Sequence, residues 1–71
     1  IKDNAVLIGE IGLAAEIRNV AQLPLRIKEA QKLGFTQCLV PKDNLSSEDK
    51  FDIEVTPVKN IQEAMEVVFN N

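Results

Sequence analysis

The sequence predicts an α/β fold with element order β-β-α-β-β-α and helices packed on a mixed sheet. Three observations lead there. Ala5-Val6-Leu7-Ile8 is a continuous apolar run, and residues 9–20 alternate in the manner of a hairpin. Two later stretches carry apolar residues at helical spacing, one ending at Gly34 and one starting after Asn60.

The first run reads as a strand covered on both faces. From Gly9 onward Ile11 and Leu13 fall on one face, and Glu10 and Gly12 on the other. Leu13-Ala14-Ala15 holds the turn, and Glu16 to Val20 returns as the second strand. The first helix runs from Gln22 to Leu33. Pro24 lies in its first turn, where a missing N–H costs little, and Gly34 closes it as a left-handed cap. At 3.6 residues per turn Leu23, Ile27, Ala30 and Leu33 share the face toward the sheet. The opposite face holds Leu25, Lys28 and Lys32. Leu25 on that cationic face is a candidate subunit contact, or simply one exposed leucine of no consequence.

Cys38-Leu39-Val40 reads as the third strand, closed by Pro41. Lys42 to Lys50 is expected to be irregular throughout, with Ser46 and Ser47 as loop or capping residues. Asp52 to Val58 alternates again and gives a fourth strand, ended by Pro57 at a strand end or edge. Asn60 caps the second helix, and Glu63 completes a capping box. Ile61, Ala64, Met65, Val68 and Phe69 form its predicted buried face, while Gln62 and Glu66 face water.

Composition narrows the function. Seventy-one residues make one small domain, or a piece of a larger one, with marginal stability alone. The start at Ile1, so close to strand-like sequence, gives the expectation of a segment from a longer protein. The net charge of −3 makes the whole chain no magnet for nucleic acid, so DNA binding requires a local basic patch. No apolar run approaches the roughly 20 residues that span a bilayer. There is no histidine, and the single cysteine, Cys38, has no activating base and reads as a small buried hydrophobe. Asp43, Glu48, Asp49 and Asp52 lack calcium-loop spacing. Gly9 and Gly12 do not make a phosphate loop, because no Gly-Lys follows them. A cytoplasmic, non-catalytic segment without its own metal or cofactor is the expectation from the residues.

The runs Gly9-Glu10-Ile11-Gly12-Leu13, Glu16-Ile17-Arg18, Arg26-Ile27-Lys28-Glu29-Ala30, Lys32-Leu33-Gly34-Phe35, and Pro41-Lys42 with Asn44 form an ordered pattern. It resembles the C-terminal Lon-protease-like (S16-type) domain of the RadA (Sms) family of bacterial DNA repair proteins. The match is dense over residues 9–44 and looser to Phe69. It departs at Ala15, where glycine is common, and at Asn19, where proline is common. The resemblance implies that residues 1–71 are the C-terminal portion of such a domain. It further implies a parent that is a RecA-like ATPase, forming a hexameric ring and driving branch migration of DNA. For that parent it implies ATP with Mg and a four-cysteine zinc finger, neither in this segment.

Lon proteases share this framework, with a lysine near the start of the helix activating an upstream serine. The alignment places that lysine at Pro24, which has no amine to act as base. A non-proteolytic scaffold and DNA-facing module follows from the resemblance. The C-terminal part of an ATP-dependent Lon-type serine protease is the alternative, and it needs another base. The DNA-binding candidates are Arg18, Arg26, Lys28 and Lys32, whose charges would neutralise phosphates without reading sequence. Arg18 and Arg26, on positions of the family pattern, are the stronger pair. Against this, the lysines form a solvated face and the arginines pair with Glu10, Glu16 or Glu29.

Overall fold

The computed structural model describes residues 4–44 and 51–69. The elements in chain order are β1 (Ala5–Leu7), β2 (Glu10–Ile11), β3 (Ile17–Arg18), α1 (Leu23–Lys32), β4 (Gln37–Pro41), a 3₁₀ turn (Lys42–Asn44), β5 (Glu54–Val58) and α2 (Ile61–Phe69). This is a small α/β domain with two helices and mixed strand pairing. The three-stranded sheet has order β1-β4-β5, and both of its pairings are parallel. The β2–β3 hairpin is antiparallel, with Glu10 opposite Arg18 and Ile11 opposite Ile17. An antiparallel bridge between Glu16 and Asn60 attaches the hairpin beyond the end of β5. There Ile17 N–H donates to the Lys59 carbonyl at 2.8 Å and Ile61 N–H to the Ala15 carbonyl at 2.9 Å.

Strand β4 lies between its neighbours and is buried along its whole length, so its side chains serve both faces of the sheet. Cys38 and Val40 pack with Leu23, Ile27 and Ala30 of α1. Leu39 packs with Val58, Ile17 and Ala64 on the other face, under α2. The helices therefore cover opposite faces, and the order is helix, sheet, helix. Burial pushes the Cys38 thiol pKa up, as suits a packing residue.

Helix α1 begins at Leu23, one residue later than expected, because Gln22 adopts φ 56° and ψ 45° as its N-cap. It ends at Lys32. Gly34 takes φ +95°, and Phe35 N–H donates to the Ala30 carbonyl at 3.1 Å, which supplies a partner for one of the last free carbonyls. Leu23, Ile27 and Ala30 are buried as the spacing predicts, but Leu33 is 78% exposed. As the C-cap Leu33 keeps right-handed helical dihedrals, φ −79° and ψ −4°. At 3.6 residues per turn, however, it stands about 80° around the helix from Leu23 and about 120° from Ile27, at the margin of the buried face.

Several other expectations change. The Ala5–Ile8 run is only half-buried, because β1 is three residues long and lies at the end of the strand order. Strand β5 starts at Glu54 rather than Asp52, and Pro57 sits within it at the other end of that order. Lys42 to Asn44 forms a single 3₁₀ turn rather than irregular chain; Ser46, Ser47, Glu48 and Asp49 lie outside the described residues. Asn60 Oδ1 accepts from Glu63 N–H at 2.8 Å, as a cap should. The reciprocal bond runs from Lys59 N–H to Glu63 Oε1 at 2.8 Å, one residue earlier than in the usual box. On α2 only Ala64 is fully buried; Met65 and Phe69 are 53% and 54% exposed. Their helical spacing is as expected, but among the described residues they have too little protein over them.

Candidate nucleic-acid interface

The hairpin positions the first arginine. Gly12 N–H donates to the Glu16 carbonyl at 2.9 Å, and Ala15 N–H to the Gly12 carbonyl at 3.1 Å. Ala15 holds the turn at φ 64°, where glycine sits freely and an L-residue costs on the order of 1 kcal/mol. The family departure at Ala15 thus preserves the turn with some strain. Gly9, at the hairpin base, has no room for a side chain: an added Cβ would lie 2.6 Å from Ile17 Cγ2.

Glu16 braces this loop from inside the turn. Its carboxylate accepts from Ala14 N–H at 3.0 Å and from Arg18 Nε at 3.0 Å. Arg18 Nη2 lies 2.9 Å from the same carboxylate oxygen. The bond from its own amide N–H, and then the Arg18 guanidinium, hold the Glu16 carboxyl below its ordinary value. Arg18 also stands directly opposite Glu10 in the ladder. Its charge is therefore set among carboxylates, although its side chain remains 60% exposed.

Arg26, exposed on α1, donates from Nε to the Ala21 carbonyl at 2.9 Å and borders a shallow cleft with Gly9, Glu10, Val20 and Glu29. Lys28 and Lys32, one helical turn apart, border a different cleft with Gln31, Phe51 and Asp52. The candidate cations consequently fall into two groups: Arg26 near the hairpin base, with Arg18 on the hairpin itself, and the lysine pair toward Phe51. Leu25 is 51% exposed, on the outer side of α1 as its position predicts.

Two polar positions gain a role only in three dimensions. Asn44 Oδ1 accepts from Val20 N–H at 2.6 Å and ties the 3₁₀ turn to the segment leading into α1. This gives the Pro41-Lys42-x-Asn44 motif a structural reason. Gln37, 2% exposed on β4, donates from Nε2 to Thr56 Oγ1 at 3.0 Å and Glu54 Oε2 at 3.3 Å. No periodicity signal marks either residue. Among the described residues no group of three His, Cys, Asp or Glu side chains is placed to hold a metal ion. No helix among the described residues is long and apolar enough to cross a membrane.

No family model matches the chain. It is similar to curated proteins named DNA repair protein RadA. It is 49% identical over 65 residues to that of Aquifex aeolicus (strain VF5), spanning 90% of this chain and 14% of the relative. With that of Streptococcus pneumoniae (strain ATCC BAA-255 / R6) it shares 46% identity over 63 residues, 87% of this chain and 15% of the relative. With that of Chlamydia pneumoniae it shares 37% over 71 residues, 96% of this chain and 16% of the relative. The chain spans about one-seventh of the length of the first of these curated relatives. The similarity supports reading the chain as one segment of a RadA-like protein.

Proposed function

We propose that this chain is a non-catalytic, Lon-protease-like module of a RadA-like, ATP-dependent DNA repair protein. In this reading it helps assemble the parent ring, with Leu25 at a subunit contact. It also presents cationic side chains to DNA during branch migration in the cytoplasm. The observation that carries the reading is the 49% identity extending over 90% of the chain. Pro24 in the first turn of α1 agrees with a domain that does no proteolysis, since proline offers no amine where a Lon-type base would stand.

Within this reading the lysine pair is the better DNA contact. Arg18 already pairs with Glu16. Lys28 and Lys32 are exposed on one side of α1, beside one carboxylate, Asp52, among the described residues that line their cleft. Two neutralised pairs, Lys28→Gln/Lys32→Gln and Arg18→Gln/Arg26→Gln, compared in DNA-binding titrations against salt, test this. If both lysines meet phosphates, their loss shallows the log–log salt slope by about 2, roughly 0.9 per contact. The arginine pair is expected to change the slope less. Unaltered affinity and slope in both variants would remove DNA contact from the role of this module.

A further inference from the structure

We infer that the tip of the β2–β3 hairpin is a phosphate site occupied by its own Glu16 carboxylate, and that a backbone phosphodiester of DNA competes with that carboxylate for Arg18. This rests on the reading of the chain as the DNA-facing module of a RadA-like protein.

The first support is a space kept clear of side chain. Gly12 faces Glu16 across the turn, and its N–H donates to the Glu16 carbonyl at 2.9 Å. A Cβ added at Gly12 would collide with the Glu16 carboxylate, meeting its carbon and both of its oxygens. Gly12 does not take a positive φ, so what its bare Cα supplies is room. The carboxylate lies in a saddle over that Cα. Gly12 and Glu16 both belong to the ordered pattern of residues 9–44, and the saddle gives them a common reason.

The second support is the set of donors around the saddle. Ala15, at φ 64°, stands between Ala14 and Glu16, and a left-handed residue in such a turn aims the flanking N–H groups to one side. Ala14 N–H donates to Glu16 Oε1 at 3.0 Å, and the Glu16 N–H to the same carboxylate. Arg18 Nε and Nη2 meet Oε2 at 3.0 Å and 2.9 Å. Backbone N–H groups with an arginine fork are a common partner set for a DNA phosphate.

The charge and exposure of the saddle select the occupant. A phosphodiester carries one negative charge and two terminal oxygens, as a carboxylate does, so the exchange leaves the charge of the site unchanged. A phosphate monoester, with about 1.5–2 negative charges at neutral pH, suits it less, because Glu10 stands opposite Arg18 in the ladder. The side chains of Glu16 and Arg18 are 40% and 60% exposed, and an exposed ion pair is held weakly. Glu16 therefore lowers the affinity of the hairpin for DNA without closing the site.

The test is DNA binding by the natural-length source protein, titrated with a labelled duplex, for Glu16→Gln, Arg18→Gln and the double variant. Glu16→Gln is expected to bind about two- to fivefold tighter, the worth of releasing one exposed ion pair. The double variant should bind no tighter than Arg18→Gln alone, because the gain acts through Arg18. Binding by Glu16→Gln equal to or weaker than that of the native protein overturns the inference. A gain that survives the loss of Arg18 also overturns it, since that is relief of general charge repulsion. Either result beside weaker binding in Lys28→Gln/Lys32→Gln leaves the DNA-facing reading standing. DNA binding unaltered in every one of these variants overturns both.

Discussion

Replacing Asn44 with alanine isolates the contact that joins the family motif after β4 to the entry of α1. In the native chain Val20 N–H donates to Asn44 Oδ1 at 2.6 Å across 24 positions of sequence. Alanine removes the acceptor and leaves that N–H without its partner. A fully buried orphan donor costs about 1–3 kcal/mol. Val20 is half-buried, so water recovers part of this, and the expected loss is about 1–2 kcal/mol. For 71 residues the total stability is on the order of 4–10 kcal/mol, so this loss is a substantial share of it. Expressed as a melting temperature, it corresponds to a drop of about 5–15 °C. The chain has no Trp or Tyr, so urea and thermal unfolding are best followed by far-UV circular dichroism. Exchange of the Val20 amide should accelerate in the same variant. Asn44→Asp keeps an acceptor and should stay within about 0.5 kcal/mol of the native protein. Asp43→Ala, on the exposed side of the same turn, should do likewise. The reasoning fails if Asn44→Ala changes stability by less than about 0.3 kcal/mol. It fails equally if Asn44→Asp is as damaging as Asn44→Ala.

Gly34→Ala should destabilise by about 1 kcal/mol, because φ +95° disfavours any side chain, although nothing lies within 4 Å of an added Cβ. A steric origin would instead predict no loss at all, so denaturation of this one variant separates the two causes. The Glu16 carboxyl should titrate below its ordinary value of 4.5 in a carbon-13 NMR experiment. Because its folded value is depressed, its contribution to stability is present above about pH 4.5 and is lost as pH falls through the folded value. Arg18→Ala should raise the Glu16 midpoint only part of the way, since the amide bond is the larger cause. A midpoint unmoved by Arg18→Ala would show that the ion pair does not persist in solution.

Much of the fold was legible because its signals are short-ranged. The hairpin turn at 13–15, Pro24 at the helix start, Gly34 at its end and the Asn60 cap each act within a few residues. Helical spacing likewise identified Leu23, Ile27 and Ala30 as the inner face of α1. The candidate cations were legible as charges, but their grouping was not. The pairing of Arg18 with Glu16, and the separation of Arg26 from the lysines, follow from how the hairpin and α1 sit around the sheet.

The sequence by itself thus determined the two helices, their limits to within a residue or two, and which faces are apolar. It read two strands before α1 where the structure has three, β1 and β2 falling in different sheets. Only the tertiary structure decided that the helices take opposite faces of a parallel sheet, and that Asn44 serves Val20. It also decided that Leu33, Met65 and Phe69 are exposed. Periodicity states which side chains favour burial, whereas burial depends on what distant chain arrives to cover them. That is why Leu23 and Met65 carry similar signals in sequence and meet opposite fates in the fold.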